Sequence, residues 1–433
     1  MQYRECIEYL YSLESRGISP GLSRVQKALA LRGDPQRAYP CVLVAGTNGK
    51  GSVATSIATV LQAAGHKVGL YTSPHLHRLV ERFQIAGRPV SERALTREVN
   101  ALRRFVETRG TPQLTFFELC TLLAFELFRS ARCDVVVLEV GLGGRLDATN
   151  VVRPLVSVIT SIALDHTDRL GPTVAHVARE KAGIIKPGVP VVVGERAADA
   201  LRVIRARARR QGAPLYTIDR EFSVLRGGEP PSARAGEPLS VRVGTRRIDK
   251  LRTPLNGAYQ ADNLACAVAA LLSLPPRLAV DERSLRRGLL RVRWPGRLEL
   301  LAGAPAVLCD AEHNPHAALA LAEHLARIRG DYTRSVLLFG AMRDKDHASM
   351  LDLLRPHVDA LIFARAHTPR AESAALLAER YGGEAIERVP DALVRARKLA
   401  GKRGLIIACG SIFLMAEVRA RALALRTDPL IAL

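Results

Sequence analysis

Lys50 and Ser52 stand in Gly46-Thr-Asn-Gly-Lys-Gly-Ser52, a stretch whose residue types suit a polyphosphate. Gly46, Gly49 and Gly51 let the backbone turn tightly with its amides facing inward, around Thr47 and Asn48. Lys50 adds a point charge for the β- and γ-phosphates, and Ser52 a hydroxyl for a metal ion. Residues 41–45 before the turn are apolar and partly β-branched, the pattern of a buried strand. After it, Ile57, Val60, Leu61 and Ala64 recur on one face of a helix. The free N–H groups and the dipole of a helix N-terminus both favour an anion. The spacing departs from G-x-x-x-x-G-K-[ST]: Val44 holds the first glycine's place, and Gly51 separates Lys50 from Ser52. A glycine-rich strand–helix turn without a ligand is the alternative reading.

Other chemistry-bearing residues fall at the ends of strand patterns. Asp134 to Glu139 encloses four apolar residues, so Glu139 ends a central strand, where open α/β sheets bind ligands. An acid there, beside a phosphate loop, is placed to hold magnesium; a satisfied strand-end carboxylate is the alternative. Ser73-Pro-His-Leu-His77 follows the strand pattern 68–72 and is a candidate metal-ligand loop, with Ser73 its first oxygen. His166 lies in a polar loop after strand 155–160, at the same sheet edge as Glu139; a lone histidine is otherwise structural. Asp310 and His313 end a later strand in Asp-Ala-Glu-His-Asn-Pro315, where Asn-Pro starts a helix.

The positioning elements follow. At 433 residues the chain exceeds one core, and two or three domains are expected. Helices are expected at 1–32, broken at Gly17–Gly21, and at 91–108, 115–131 and 196–211. A small-residue helix begins in the 256–270 segment. The Gly/Pro/Ser-rich stretch 227–238 reads as a hairpin excursion. Arg293-Trp-Pro-Gly-Arg297 holds the only tryptophan and a Pro-Gly break, which sets domains at 1–293 and 294–433. Beyond it strands and helices alternate at 306–310, 315–328, 335–340, 347–354, 359–363, 371–381, 389–401, 404–409 and 411–424. The fold class is α/β: a P-loop ATPase-type, mostly parallel sheet with helices on both faces, then a C-terminal Rossmann-like domain. That domain lacks G-x-G-x-x-G, which argues against a dinucleotide.

Composition narrows the function classes. The formal net charge is +21, yet only nine of the 63 basic residues are lysine and aromatics total 5%. Arginines spread along the whole chain suit a general field for anionic substrates better than a nucleic-acid stripe. The seven cysteines show no CxxC pairing and read as buried thiols of a reducing compartment. No apolar run approaches a membrane span, and residues 1–13 are too charged for a signal peptide. A cytoplasmic monomer that engages neither nucleic acid nor membrane is expected.

Gly-Thr-Asn-Gly-Lys-Gly-Ser52, Thr72-Ser-Pro-His-Leu76 and Leu146-Asp-Ala-Thr-Asn150 together resemble the Mur ligase superfamily, and within it the folate branch of dihydrofolate and folylpolyglutamate synthases. The resemblance covers nearly the whole chain. It implies ATP as co-substrate, two magnesium ions, and transfer of the γ-phosphate to a carboxylate that L-glutamate then attacks. Gly46 to Ser52, Asn263, Arg297 and Asp310 would contact ATP, and Ser73, Glu139 and His166 the metal. Lys181 would be carbamylated; a plain ammonium paired with Glu139 or phosphate is the alternative. For Asn263 the alternative is a helix-packing amide. His313 and Ser411 would take glutamate. Phe116, Phe117, Glu118, Asp147 and Ala148 match the pterin-side positions of the bifunctional bacterial enzymes. The catalytic set is Lys50, Lys181, His166, Asp310 and His313. Gly17 to Arg24 resembles a substrate-side loop, or is a plain helix–helix turn. Glu312 departs from the family, which usually has a small residue there. The acceptors implied are dihydropteroate and reduced folates. A dedicated folylpolyglutamate synthase and another Mur-type amide ligase are the alternatives; a P-loop GTPase would need an N-K-x-D motif that is absent.

Overall fold

Seventeen strands build three sheets in a computed structural model of the chain, which describes residues 1–17, 21–108, 110–226 and 236–428. The first eight are β1 (Cys41–Ala45), β2 (Val68–Tyr71), β3 (Phe83–Ile85), β4 (Arg88–Pro89), β5 (Val135–Glu139), β6 (Val156–Ile159), β7 (Val191–Val193) and β8 (Leu215–Thr217). They form one sheet in the order β4-β3-β2-β5-β1-β6-β7-β8. All neighbours from β2 to β8 run parallel, and β3 and β4 add an antiparallel edge. β1, β2, β5, β6 and β7 are buried along their whole length, as continuous apolar runs in a doubly covered parallel sheet require. One face packs on the N-terminal helices and on Phe116–Ser130. The other packs on Lys50–Ala63, Tyr259–Leu272 and Glu282–Leu290.

Register decides what meets at the functional edge. Val44 pairs with Glu139 and Ala45 with Ile159. Gly46, Val140 and Thr160 therefore leave the sheet side by side, and Tyr71, paired with Leu138, delivers Ser73 to the same edge.

A three-stranded antiparallel sheet follows, from β9 (Phe222–Arg226), β10 (Leu239–Val243) and β11 (Arg246–Leu251). The expected excursion at 227–238 falls largely outside the described residues, as do residues 18–20 of the Gly17–Arg24 segment. The last six strands are β12 (Glu299–Leu301), β13 (Ala306–Cys309), β14 (Ser335–Phe339), β15 (Ala360–Arg365), β16 (Glu384–Arg388) and β17 (Leu405–Cys409). Their order is β12-β13-β17-β14-β15-β16, parallel except for β12, with an apolar core on each face. Both edge strands, β12 and β16, escaped the sequence pattern. β16 reads Glu-Ala-Ile-Glu-Arg and is largely exposed, so it lacks the apolar run that marks an interior strand. All seven cysteines are free and buried. No helix among the described residues is long and apolar enough to cross a membrane.

Candidate active site

The loop Gly46–Gly49 joins β1 to the helix Lys50–Ala63, and its backbone leans on the start of the loop after β6. Thr47 N–H donates to Ser161 O at 2.7 Å. Thr160 Oγ1 donates to Asn48 O at 2.6 Å. Gly49 sits at φ +85°, and a Cβ there would lie 2.3 Å from Asn263 Oδ1. The close approach explains both the glycine and the place of Asn263, whose amide also donates to Gln260 Oε1 at 2.9 Å. Gln260 in turn donates to Ser52 Oγ at 3.3 Å.

Two lysines converge on one carbonyl. Lys50 Nζ donates to Gly46 O and Thr47 O, both at 3.0 Å, and Lys181 Nζ donates to Gly46 O at 2.7 Å. Burial lowers the pKa of both amines, most of all that of Lys181, which is 3% exposed and lies near the charge of Lys50. Glu139 does not hydrogen-bond Lys181. Its Oε2 accepts the Ser73 N–H at 3.1 Å, and burial raises its pKa against the pull of Lys50.

His166, at φ +50°, is bound up with Asp165 rather than with Glu139; its Nε2 is 3.9 Å from Asp165 Oδ1. Burial pushes its pKa down to about 4, so the ring is neutral and able to ligate a metal. Among the described residues no three His, Cys, Asp or Glu side chains close into a metal cluster on their own. The donor set still fits a hard dication: magnesium takes oxygen ligands, commonly one or two carboxylates with the rest from water and phosphate. Glu139 and Ser73 bring one carboxylate and one hydroxyl to the same sheet edge, while His166 is held beside Asp165.

Asp165 is the residue the sequence reading missed. Lys345 Nζ reaches its Oδ1 at 2.6 Å, and His313 Nε2 and Asn314 Nδ2 lie 3.3 and 3.5 Å from its Oδ2. Burial alone would raise its pKa; His313, His166 and Lys345 outweigh it and hold the carboxyl well below its usual range. Asn314 also donates to Asn48 Oδ1 at 3.2 Å, within the phosphate loop itself. The loops after β13 and β14, in the third sheet, thus close directly onto the edge of the first sheet. Asp165 stood beside His166 in the same strand-end loop, and that adjacency was the one available signal.

Asp310, at the end of β13, accepts Leu298 N–H at 2.7 Å and Glu312 N–H at 2.9 Å, and burial raises its pKa. Arg297 Nη1 donates to Ala311 O at 3.2 Å. Ser411 caps the helix Ile412–Leu423 by accepting Leu414 N–H at 3.2 Å, so its hydroxyl oxygen is engaged locally.

The five positions expected on the pterin side lie around the start of the helix Phe116–Ser130 and the loop after β5. Phe117 packs against Gly141 and tilts toward Tyr71, 6.2 Å between ring centroids. Phe116 stacks on Tyr11 at 5.5 Å with the Arg82 guanidinium 5.1 Å from its ring. Glu118 closes a capping box with Thr115 and pairs with Arg24 at 2.9 Å. Asp147 spends its acceptors on its own loop: Leu142 N–H, Thr149 N–H and Thr149 Oγ1, at 3.0, 2.9 and 2.6 Å. Ala148, next to it, is buried.

Comparison with known proteins identifies the family. Residues 44–271 match the Mur ligase middle domain, and residues 296–412 the Mur ligase glutamate ligase domain. The dihydrofolate synthase/folylpolyglutamate synthase of Bacillus subtilis is 35% identical, covering 97% of this chain and 99% of its own. A probable bifunctional folylpolyglutamate synthase/dihydropteroate synthase of Haloferax volcanii is 37% identical over 97% of this chain, which spans only 50% of that longer protein. Among solved structures, Escherichia coli FolC in complex with DHPP and ADP superposes with a TM-score of 0.88 at 35% identity, covering 98% of this chain and 99% of that one. A bifunctional folylpolyglutamate synthase/dihydrofolate synthase with Mn, AMPPNP and L-glutamate bound superposes with a TM-score of 0.86 at 36% identity, covering 98% and 100%. The chain belongs to the Mur ligase superfamily, in its dihydrofolate synthase/folylpolyglutamate synthase family of ATP-dependent ligases.

Proposed function

We propose that this chain glutamylates dihydropteroate, giving dihydrofolate, and reduced folates, giving polyglutamates, in both cases through an acyl phosphate. The acceptor carboxylate attacks the γ-phosphorus of ATP and ADP leaves. The amine of L-glutamate then attacks the acyl carbon, forming the amide and expelling phosphate. Such transfers depend on positioning and charge neutralisation. Lys50 and the amides of Gly46 to Ser52 hold the phosphates; Asn263, Arg297 and Asp310 hold the rest of the nucleotide. Ser73, Glu139 and His166 would hold two magnesium ions, which would neutralise phosphate charge. Lys181, carbamylated, would supply an anionic oxygen pair to the site. His313 and Ser411 orient glutamate, and Phe116, Phe117, Glu118, Asp147 and Ala148 line the pteroate side.

The observation that carries this reading is the convergence of Lys50 and Lys181 on Gly46 O, with buried Glu139 on the adjacent strand. Two amines held that close do not both stay charged: phosphates would answer Lys50, and carbamylation would turn Lys181 itself into an anion. We place the domain division at 293/294, a boundary supported by the break at Trp294-Pro-Gly296 and by the two matched segments. The working unit in this reading is a cytoplasmic monomer. The test compares acceptors: dihydropteroate and tetrahydrofolate should both be glutamylated with saturating ATP and magnesium. Phe117→Ala should weaken both, since one pocket serves both. Turnover of tetrahydrofolate alone would replace the bifunctional reading by a dedicated folylpolyglutamate synthase.

A further inference from the structure

Glu312 is 0% exposed, and both of its carboxylate oxygens lack a hydrogen-bond partner. No other carboxylate among the described residues is buried in that state. A buried carboxylate without partners is costly when ionised, so such groups take up a proton instead. Its surroundings offer no counter-charge in contact. Asp310 is the neighbouring acid; the Cys409 thiol and Gly410 amide at the end of β17 lie beside it without a well-formed hydrogen bond. Arg297, whose charge pulls the other way, spends its Nη1 on Ala311 O. Burial, then the charge of Asp310, pushes its pKa up to about 8.

Glu312 also sits inside a tightly braced turn. Its own N–H donates to Asp310 Oδ1 at 2.9 Å. Ala311 N–H donates to Gly296 O at 2.9 Å, and Ala311 O accepts from Arg297 and from His313 Nδ1, at 3.2 and 3.0 Å. The next two residues are His313, which reaches Asp165, and Asn314, which reaches Asn48. One turn therefore carries an acid of the nucleotide side and the contacts that join the two halves of the site.

We propose that Glu312 is a positioning residue held as the neutral acid, and that its ionisation in alkali repels Asp310 and loosens the Asp310–Asn314 turn from Asp165 and Asn48. This rests on the ligase reading for its kinetic consequence alone. Asp310 and Glu312 titrate as a pair, so the step belongs to both.

Two measurements test it, on the full-length wild type, Glu312→Gln and Glu312→Ala. In the pH dependence of kcat/KM for ATP, the wild type should fall about tenfold per pH unit above an alkaline step, and both variants should lack that step. Thermal midpoints of the ligand-free proteins supply a readout that needs no substrate. Between the ordinary carboxylate range and about pH 8, the unfolded chain has released a proton that the fold retains. Wild-type stability should therefore fall with pH across that window, and the variants should not share the fall. Parallel stability curves would overturn the neutral acid. Diverging stability curves with an unchanged alkaline step would overturn the positioning role. Failure of every acceptor to react would remove the ligase reading and still leave the stability curves to decide the state of Glu312.

Discussion

The proposed chemistry turns on Lys181. Its amine is buried, shares Gly46 O with Lys50, and has its pKa driven well down by burial. A lysine lowered in the fold favours the neutral amine, and only the neutral amine captures carbon dioxide. The sign follows: as pH falls through the lowered folded value, the amine protonates and the carbamate is lost. Protein equilibrated with 13C-bicarbonate at neutral pH should show a carbamate carbon that disappears on mild acidification. Lys181→Ala should be nearly inactive and partly rescued by acetate, whose carboxylate fits the vacated space. Lys181→Arg should stay inactive, because guanidinium keeps its charge and is not carbamylated. An active Lys181→Arg variant without the 13C signal would reduce Lys181 to a plain cation.

At the scale of elements, the phosphate loop is fixed by what presses on it. Asn263 fills the space over Gly49, and Trp294 covers Gly51, where a Cβ would lie 2.2 Å from the indole. Gly49→Ala therefore adds a clash to an unfavourable φ of +85°, and should abolish nucleotide binding while the sheet remains folded. The sole tryptophan lies against the first turn of the phosphate-loop helix, so its emission should shift on adding ATP and should not respond in Lys50→Ala. An unchanged spectrum with saturating ATP would mean that the loop does not hold the nucleotide. These contacts also mark how far the sequence could be read. Strand, loop and helix of the phosphate site are local patterns, and Glu139 is named by its place at the end of an apolar run. Trp294 against Gly51 joins positions far apart in the chain, so the tryptophan was legible as a boundary only. β12 and β16 are short edges without an apolar run, and nothing periodic announces them.

At the scale of the whole molecule, polar contacts join its two halves alongside apolar ones such as Trp294 on Gly51. Asp165 with Lys345, His313 and Asn314 forms one clasp. Arg419 forms a second by bridging Glu299 at 2.7 Å and His77 at 2.9 Å. The C-terminal segment adds a strap: Asp428 accepts Tyr3 Oη at 2.8 Å and Leu79 N–H at 2.7 Å. None of these pairings was legible, because each joins chemically ordinary residues more than a hundred positions apart. Lys345 and Asp165 are both nearly buried, so the pair is shielded from solvent screening. A hydrogen bond to a charged group contributes about 1.5–3 kcal/mol. Lys345→Ala should therefore lower kcat/KM about 10- to 100-fold by disfavouring the closed state, with the pteroate side untouched. Wild-type turnover in that variant would show that closure does not depend on the clasp.

Amide ligation through an acyl phosphate leaves its mark on the fate of one oxygen atom. Dihydropteroate or tetrahydrofolate labelled with 18O in the reacting carboxylate is incubated with the protein, ATP, magnesium and L-glutamate, and the released phosphate is analysed by mass spectrometry. Attack of the carboxylate on the γ-phosphorus leaves its oxygen on phosphorus when the amide forms, so one 18O should appear per phosphate released with each amide. Amide formation with unlabelled phosphate, or phosphate release without amide, would rule out ligation through an acyl phosphate.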